Sequence, residues 1–376
     1  MRLMISACLV LALAVLPSPA PACSLCGGYA ARTAFLPQYW QAHAIICGTL
    51  ANPKLDGNTG AGTTELHIDK IVKNDPRLKG VNPFILPRYL TVLGGKEPPR
   101  FIALLDDKLQ CVGGRDYSPA LLDFLAASEV VKEKSRGEKL AHFAKYLDSA
   151  DPMVAEEAFM QFAQSSDREV LDTAKHLKPD PFRKLVQDPK LDPERLSLFA
   201  FLLGASGAAS DADLLTPFLR KPDDRACKAL DGIVSGYILL RPKEGWAWTY
   251  AIVGDPKQSF LVRWGTVKAL RFLHAARPDD YRKEFLHATA LMIQTGELAD
   301  VAIGDLQKAK IWDHTKLILA QYDKKTHKAP IVRDALLRYA LLCPQPEART
   351  FIAELRQREP ALIRRLEEDI AFEQGK

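Results

Sequence analysis

A turn followed by an amphipathic helix, written three times along this chain, limits its possible folds more than any other feature. In GDPKQSFLVRWGTVKALRFL (254–273), Asp255-Pro256 makes the turn, and Phe260, Leu261, Trp264, Val267, Leu270 and Leu273 then fall mostly three or four residues apart. Apolar residues at that spacing share one face of a helix, and that face must be covered. The design recurs at Asp151–Phe162 and Pro330–Leu342, each with a Val-Ala or Val-Arg pair ahead of an Ala/Leu face. Val154, Val262 and Val332 hold equivalent places 108 and 70 residues apart. Those separations are near three and two multiples of a period of about 35–36 residues, the length of one helix pair with its turns.

From about 138 to 372 the chain holds little but helical patterns, many of them started or stopped by Asp-Pro, Lys-Pro, Arg-Pro or Gly. Each helix pair buries its stripe against its neighbours, so the expected product is an elongated, curved surface of the kind that binds proteins or polymers. Val262-Arg263 and Val332-Arg333, each followed by an Ala/Leu face, resemble HEAT-type repeats, whose second helix carries Asp, Val-Arg and then Ala-x-x-x-Leu; Asp151, Val154 and Ala158 fit without the Arg. The resemblance implies a HEAT-like α-solenoid over 138–376.

The first residues speak to compartment. One early charge at Arg2, an apolar run from about Leu3 to Leu16 and the ending Ala20-Pro21-Ala22 are the parts of a secretory signal peptide, 1–22. Cleavage after Ala22 would leave Cys23 at the mature N-terminus of a secreted or periplasmic protein. A lipid anchor on Cys23 is the rival reading, set against Ala20-Pro21-Ala22 where a Leu-small-small run is usual. No later run is long and uncharged enough for a transmembrane span. The net charge is +5, or +4 once Arg2 leaves, spread among residues of mixed sign, which does not make a nucleic-acid footprint. Of seven cysteines, Cys8 leaves with the signal and six remain where disulfides persist.

The segment 23–128 has a different texture. Candidate strands are Ala42–Leu50, Thr63–Val72, Phe84–Val92 and Arg100–Leu105, separated by Gly- and Pro-containing connections as in an antiparallel barrel or sandwich. A short helix at Tyr117–Ala127 closes this domain, and 129–137 reads as a charged linker. The order Cys23, helix, AHAIICGTL, TTELHIDKIVKNDPRLKG and PPRFIALLDDKLQC resembles the netrin-like, OB-type barrel of tissue inhibitors of metalloproteinases. The fold class expected is therefore multidomain, a small antiparallel β-barrel followed by an α-solenoid. The whole layout also resembles secreted bacterial proteins that join a small β-domain to HEAT-like repeats, a likeness that implies no activity. In the inhibitor family the free amine and carbonyl of the first Cys bind a catalytic zinc. Its Cys-x-Cys start is Cys23-Ser-Leu-Cys26 here, and fewer cysteines follow.

Cys23-x-x-Cys26 lacks the His that haem attachment needs, a second pair for structural zinc, and the preceding strand of a thioredoxin-like site. The remaining reading is a disulfide clasp in which Cys23 and Cys26 bond Cys47 and Cys111, in a pairing left open. Gly57–Gly62 is followed by a strand pattern, so a hairpin loop is expected there and not a phosphate cradle. Trp246, Trp248 and Tyr250 in EGWAWTYAIV are candidates for an aromatic platform that meets a sugar or a partner. Ser206 and Ser235 lie outside any nucleophile elbow and suit tight helix packing. His142, His176, His274, His287, His314 and His327 stand singly, without metal-ligand spacing. Cys227 and Cys343, about three repeats apart, are expected as buried thiols.

No catalytic residue, cofactor or metal emerges. The leading expectation is an exported, non-catalytic scaffold that binds a protein or cell-envelope partner through its helical surface. Two alternatives are a hydrolase with its site at the interdomain junction, and a protease inhibitor acting through Cys23.

Overall fold

The structure, a computed structural model, describes residues 22–55, 57, 61–92 and 98–374. The expected signal segment through residue 21, positions 58–60 of the Gly-rich loop and positions 93–97 lie outside the described residues. The chain is mixed, with an antiparallel sheet in the N-terminal part and helices beyond it.

Five strands form one sheet in the order β3-β2-β1-β4-β5: β1 (Ala44–Leu55), β2 (Gly62–Lys73), β3 (Phe84–Leu86), β4 (Arg100–Leu105) and β5 (Cys111–Asp116). Alternation along the strands sends Ala44, Ile46 and Leu50 to one face with Leu66, Leu86, Phe101, Ala103 and Leu105. Ile45 and Cys47 go to the opposite, outer face (the first being the inner face) with Ile102 and Leu104, where they join Phe35 and Leu36 of α1 (Phe35–Gln41) and Leu121 and Leu125 of α2 (Pro119–Ala127). Both faces are therefore buried.

The four expected strands are present, the first running on to Leu55, and two larger differences stand out. The third runs for three residues instead of reaching Val92, because Pro87 has no N–H to give to a ladder. The strand β5 was hidden in the sequence by Gly113-Gly114, which break the apolar alternation; a Cβ at Gly114 would meet the Phe101 ring at 2.5 Å, so glycine is what lets β5 lie against β4. The sheet is open where the sequence leads one to expect a closed barrel, since no ladder joins β3 to β5 among the described residues. A strand as short as β3 offers few groups for such a ladder. The two edges do approach through side chains, Arg88 Nη2 donating to Cys111 Sγ at 3.2 Å.

The helices that follow are α3 (Arg136–Phe143), α4 (Pro152–Ala163), α5 (Asp167–Ala174), α6 (Asp180–Leu185), α7 (Pro193–Ser206), α8 (Ala212–Arg220), α9 (Asp224–Lys228) and α10 (Leu230–Leu240). After them come α11 (Pro242–Gly254), α12 (Phe260–Ala276), α13 (Arg282–Thr295), α14 (Ala299–Lys308), α15 (Thr315–Leu319), α16 (Pro330–Leu342), α17 (Pro346–Arg358) and α18 (Pro360–Glu373). Their starts follow local chemistry. Asp151 and Asp192 accept the first free N–H groups of α4 and α7, each with Pro at the first helical position, where no N–H is needed. Ser166 and Glu169 form a reciprocal capping box on α5. No helix among the described residues is long and apolar enough to cross a membrane.

The buried stripe on α12 differs from the expected one at its start. Val262, Thr266, Ala269 and Leu273 face inward, and Phe260 and Leu261, each 56% exposed, fall outside that stripe. Two residues of helix turn the direction by about 200°, so Phe260 and Trp264 share the side away from Val262. They stack on each other with ring centroids 6.2 Å apart and an interplanar angle of 6°. Arg263, by contrast, is fully buried.

Packing between helices follows the chain in its later part: α11 lies on α13, α14 on α16, and α16 on α17 and α18. Side-chain pairs reach from one helix pair to the next, Arg271 to Asp305, Arg282 to Asp313 and Arg365 to Asp334, spans of 34, 31 and 31 residues. Such regular spans are compatible with a helical repeat. The earlier part departs from simple stacking. A 3-10 segment, Ser24–Ala31, packs against α4, α7 and α12, and Arg277 pairs with Asp172, 105 residues earlier. One apolar core consequently runs from Cys23 through the outer face of the sheet to Ala276, past the expected linker, whose residues hold a 3-10 turn (Ser128–Val131) and the start of α3.

Candidate functional site

Helix α11 begins at Pro242 and carries the three aromatic residues singled out in the sequence. Residues four apart share a helix face and residues two apart do not. Trp246 and Tyr250 accordingly stack, with centroids 5.9 Å apart and planes 23° from parallel. Trp246 also meets Tyr281 at 6.0 Å, and Tyr250 meets the His287 ring edge-on at 4.3 Å. Trp248 is not part of this run: it packs on the core that contains the sheet and α10, while Tyr250 packs on the second core, built by α13, α14 and α16.

Beside Tyr250 opens a groove of about 490 Å³, lined by Tyr250, Lys283, Glu284, Leu286, His287, Ala290 and His314. Burial, with the Glu284 carboxylate adding to it, pushes the Tyr250 hydroxyl up to about 12, so it stays a neutral donor near pH 7. His314 is fixed, its Nε2–H donating to Leu286 O at 2.7 Å. The side chains of Lys283, Glu284 and His287 make no hydrogen bond or ion pair with another described residue. The groove thus sets an aromatic wall beside a cation, an anion and an imidazole that are all free to engage something else. Sequence reading brought out Tyr250 but not the rest of the lining. His287 follows Tyr250 by 37 positions, about one helix pair, and only the repeat period hinted that the two would be neighbours.

The cysteines are divided by the sheet. Cys23, Cys26 and Cys47 lie in the core on its outer face. Cys111 pairs in register with Leu105 and packs with the inner-face residues. Burial, and then the neighbouring Cys23 thiol, push the Cys26 thiol well above the usual range, which leaves it a poor nucleophile. Cys343 is buried, whereas Cys227, expected to be buried, is partly exposed near the end of the short helix α9. Ser206 and Ser235 donate to the carbonyls of Leu202 and Asp231, as helix-packing serines do.

The N-terminal segment is held at both backbone and side chain. Cys23 N donates to Ala163 O at 3.0 Å, and Ser24 donates twice to Asp167, from N at 2.8 Å and from Oγ at 3.0 Å. Burial pushes the Asp167 carboxyl up to about 6 against the pull of those two bonds. No protein-family model matches the chain, and no curated protein and no solved structure matches it either.

Proposed function

We propose that this is an exported, non-catalytic binding protein whose helical part takes a cell-envelope partner in the groove beside Tyr250. One observation carries the reading: the rings of Tyr250 and His287, with Trp246 stacked behind Tyr250, stand in one groove with Lys283 and Glu284, whose side chains make no hydrogen bond or ion pair among the described residues. An apolar wall with polar groups of both signs suits a polysaccharide, which offers C–H faces to the rings and hydroxyls to the charges. Purified protein should sediment with isolated cell-wall polysaccharide, and Tyr250→Ala or His287→Ala should weaken that binding about tenfold, as loss of a central aromatic contact does. Binding that ignores both substitutions, or no binding at physiological salt, would sink the proposal. Capture by solubilised envelope protein instead would redirect it to a protein partner.

The finer architecture belongs to the same reading. We infer an OB-type barrel with one seam unlaced: the strand order leaves β3 and β5 as the two edges, and Arg88 spans them to Cys111. The helices form a HEAT-like array, supported by the one-period spans of Arg271 to Asp305 and Arg365 to Asp334. A clasp among Cys23, Cys26 and Cys47 fits their shared core, and a bond from any of them to Cys111 would have to cross the sheet. Protease inhibition through the Cys23 amine gains no support, because that nitrogen faces Ala163 O and its side chain is buried.

A further inference from the structure

The chain enters the core abruptly. Ala22 is exposed and Cys23, the next residue, is 1% exposed. Its nitrogen meets the carbonyl of Ala163, the last residue of α4, where unpaired carbonyls give a helix its negative end. Immediately beyond, the Asp167 carboxylate at the first turn of α5 takes both the N–H and the hydroxyl of Ser24. Leu25 and Cys26 then sink fully between α4 and α7. Two other charged groups stand at this junction: Arg136 donates to Gln161 O at 2.6 Å and to Ser165 Oγ at 2.8 Å and leaves the Ala163 carbonyl to Cys23, and the Glu169 carboxylate accepts from Ser166 N and Oγ. Glu194 of α7 lies against Gly27, farther along the segment.

We propose that cleavage between Ala22 and Cys23 is a maturation step whose product the fold recognises: the new α-ammonium of Cys23 docks on the Ala163 carbonyl, with Asp167 as its nearby counter-charge. The inference rests on the reading of 1–22 as an export signal. The reaction is peptide hydrolysis by an endopeptidase that accepts small residues before the cut. The Ala22–Cys23 C–N bond breaks, water supplies OH to the Ala22 carbonyl and H to the nitrogen, and the freed amine takes one more proton. Before cleavage the nitrogen offers one neutral N–H to α4; afterwards it offers a positive charge at the same place, where a helix C-terminus favours cations. The seat also separates this product from a lipidated one, since Cys23 Sγ has no path to solvent while residues 23–26 remain docked.

Two measurements test it. The chain beginning at Cys23 is compared with the same chain acetylated on that amine, which keeps an N–H donor and removes the charge, by urea unfolding at pH 7. The free amine should give an unfolding equilibrium constant about tenfold smaller, and Asp167→Asn should shrink the difference between the two forms. Equal stability of the free and acetylated forms overturns the docking proposal and leaves export untouched. Intact mass of the exported protein should give an unmodified N-terminus at Cys23. A mature chain that starts elsewhere, or carries lipid on Cys23, overturns the proposal together with the assigned cleavage position.

Discussion

The carboxylate of Glu157, on the buried side of α4, accepts the backbone N–H of Leu36 at 2.9 Å, and Phe35 N–H reaches it at 3.2 Å. It therefore caps the first turn of α1 from another part of the chain, and Arg115 of β5 stands 3.6 Å away. This side chain thus ties α1 and β5 to α4, across the core that the two regions share. Replacing Glu157 by Ala strands two buried N–H groups and should cost about 2–4 kcal/mol. Urea unfolding checks this, and a loss under about 0.5 kcal/mol would mean that water replaces the carboxylate at no cost.

Arg263 and Glu297 form an unequal pair, the guanidinium fully buried and the carboxylate half-exposed. Arg263 Nε has no hydrogen-bond partner among the described residues, and its Nη2 reaches Val253 O at 3.3 Å. Removing Glu297 leaves a buried cation with little compensation, so Glu297→Ala should destabilise by about 2–4 kcal/mol, less than a fully buried pair because solvent screens the carboxylate. Arg263→Met should cost less than Glu297→Ala, because it removes the charge along with its need for a partner. Denaturant midpoints for the two variants decide the order, and the reverse order would show that the pair itself stabilises the fold.

Cys111 should behave differently from the other cysteines near the N-terminus. It is half-buried on the inner face of the sheet, held by Arg88 and donating to Gly113 O at 3.3 Å, whereas Cys23, Cys26 and Cys47 share the outer-face core. Alkylation of the native protein followed by peptide mass mapping should label Cys111 readily and leave the other three unlabelled, with any disulfide confined to them. A bond from Cys111 to Cys23 or Cys26 would mean that the segment and the sheet are arranged otherwise.

How far the sequence speaks depends on how local each cause is. Helix starts were legible because Pro152, Pro193 and Pro330 act on the chain immediately around them. The aromatic platform expected of Trp246, Trp248 and Tyr250 survives only as the pair Trp246 and Tyr250, since four residues make about one helical turn and Trp248, two residues from each, turns to the other core. What escaped were consequences of distant partners. Gly113-Gly114 look like a loop until β4 lies beside them, and Arg263 looks like a surface charge until Val253 and Glu297 close around it. His287 belongs to the groove only because α13 packs on α11. The expected stack of helices met its main departure at Cys23–Ala31, a short segment whose place against α4, α7 and α12 no periodicity encodes.

Asp167 should make stability depend on pH in a direction set by burial. In the chain that continues before Cys23, its carboxyl titrates near 6 when folded and near the ordinary 3.8 when unfolded. The native state then holds more protons than the unfolded state between those values. Its contribution is therefore fully present below about pH 4 and is lost as the pH rises through 6. Glu157, also raised by burial, slopes the same way, so the comparison must be with Asp167→Asn and not with the wild-type curve alone. Stability measured from pH 4 to 7 should fall more steeply for the wild type than for Asp167→Asn. In the chain cut before Cys23 the new ammonium favours ionised Asp167, and the extra steepness should diminish. Curves that stay parallel in the uncut chain would show that the carboxyl is solvated as in the unfolded state and that Ser24 is not held in the way described.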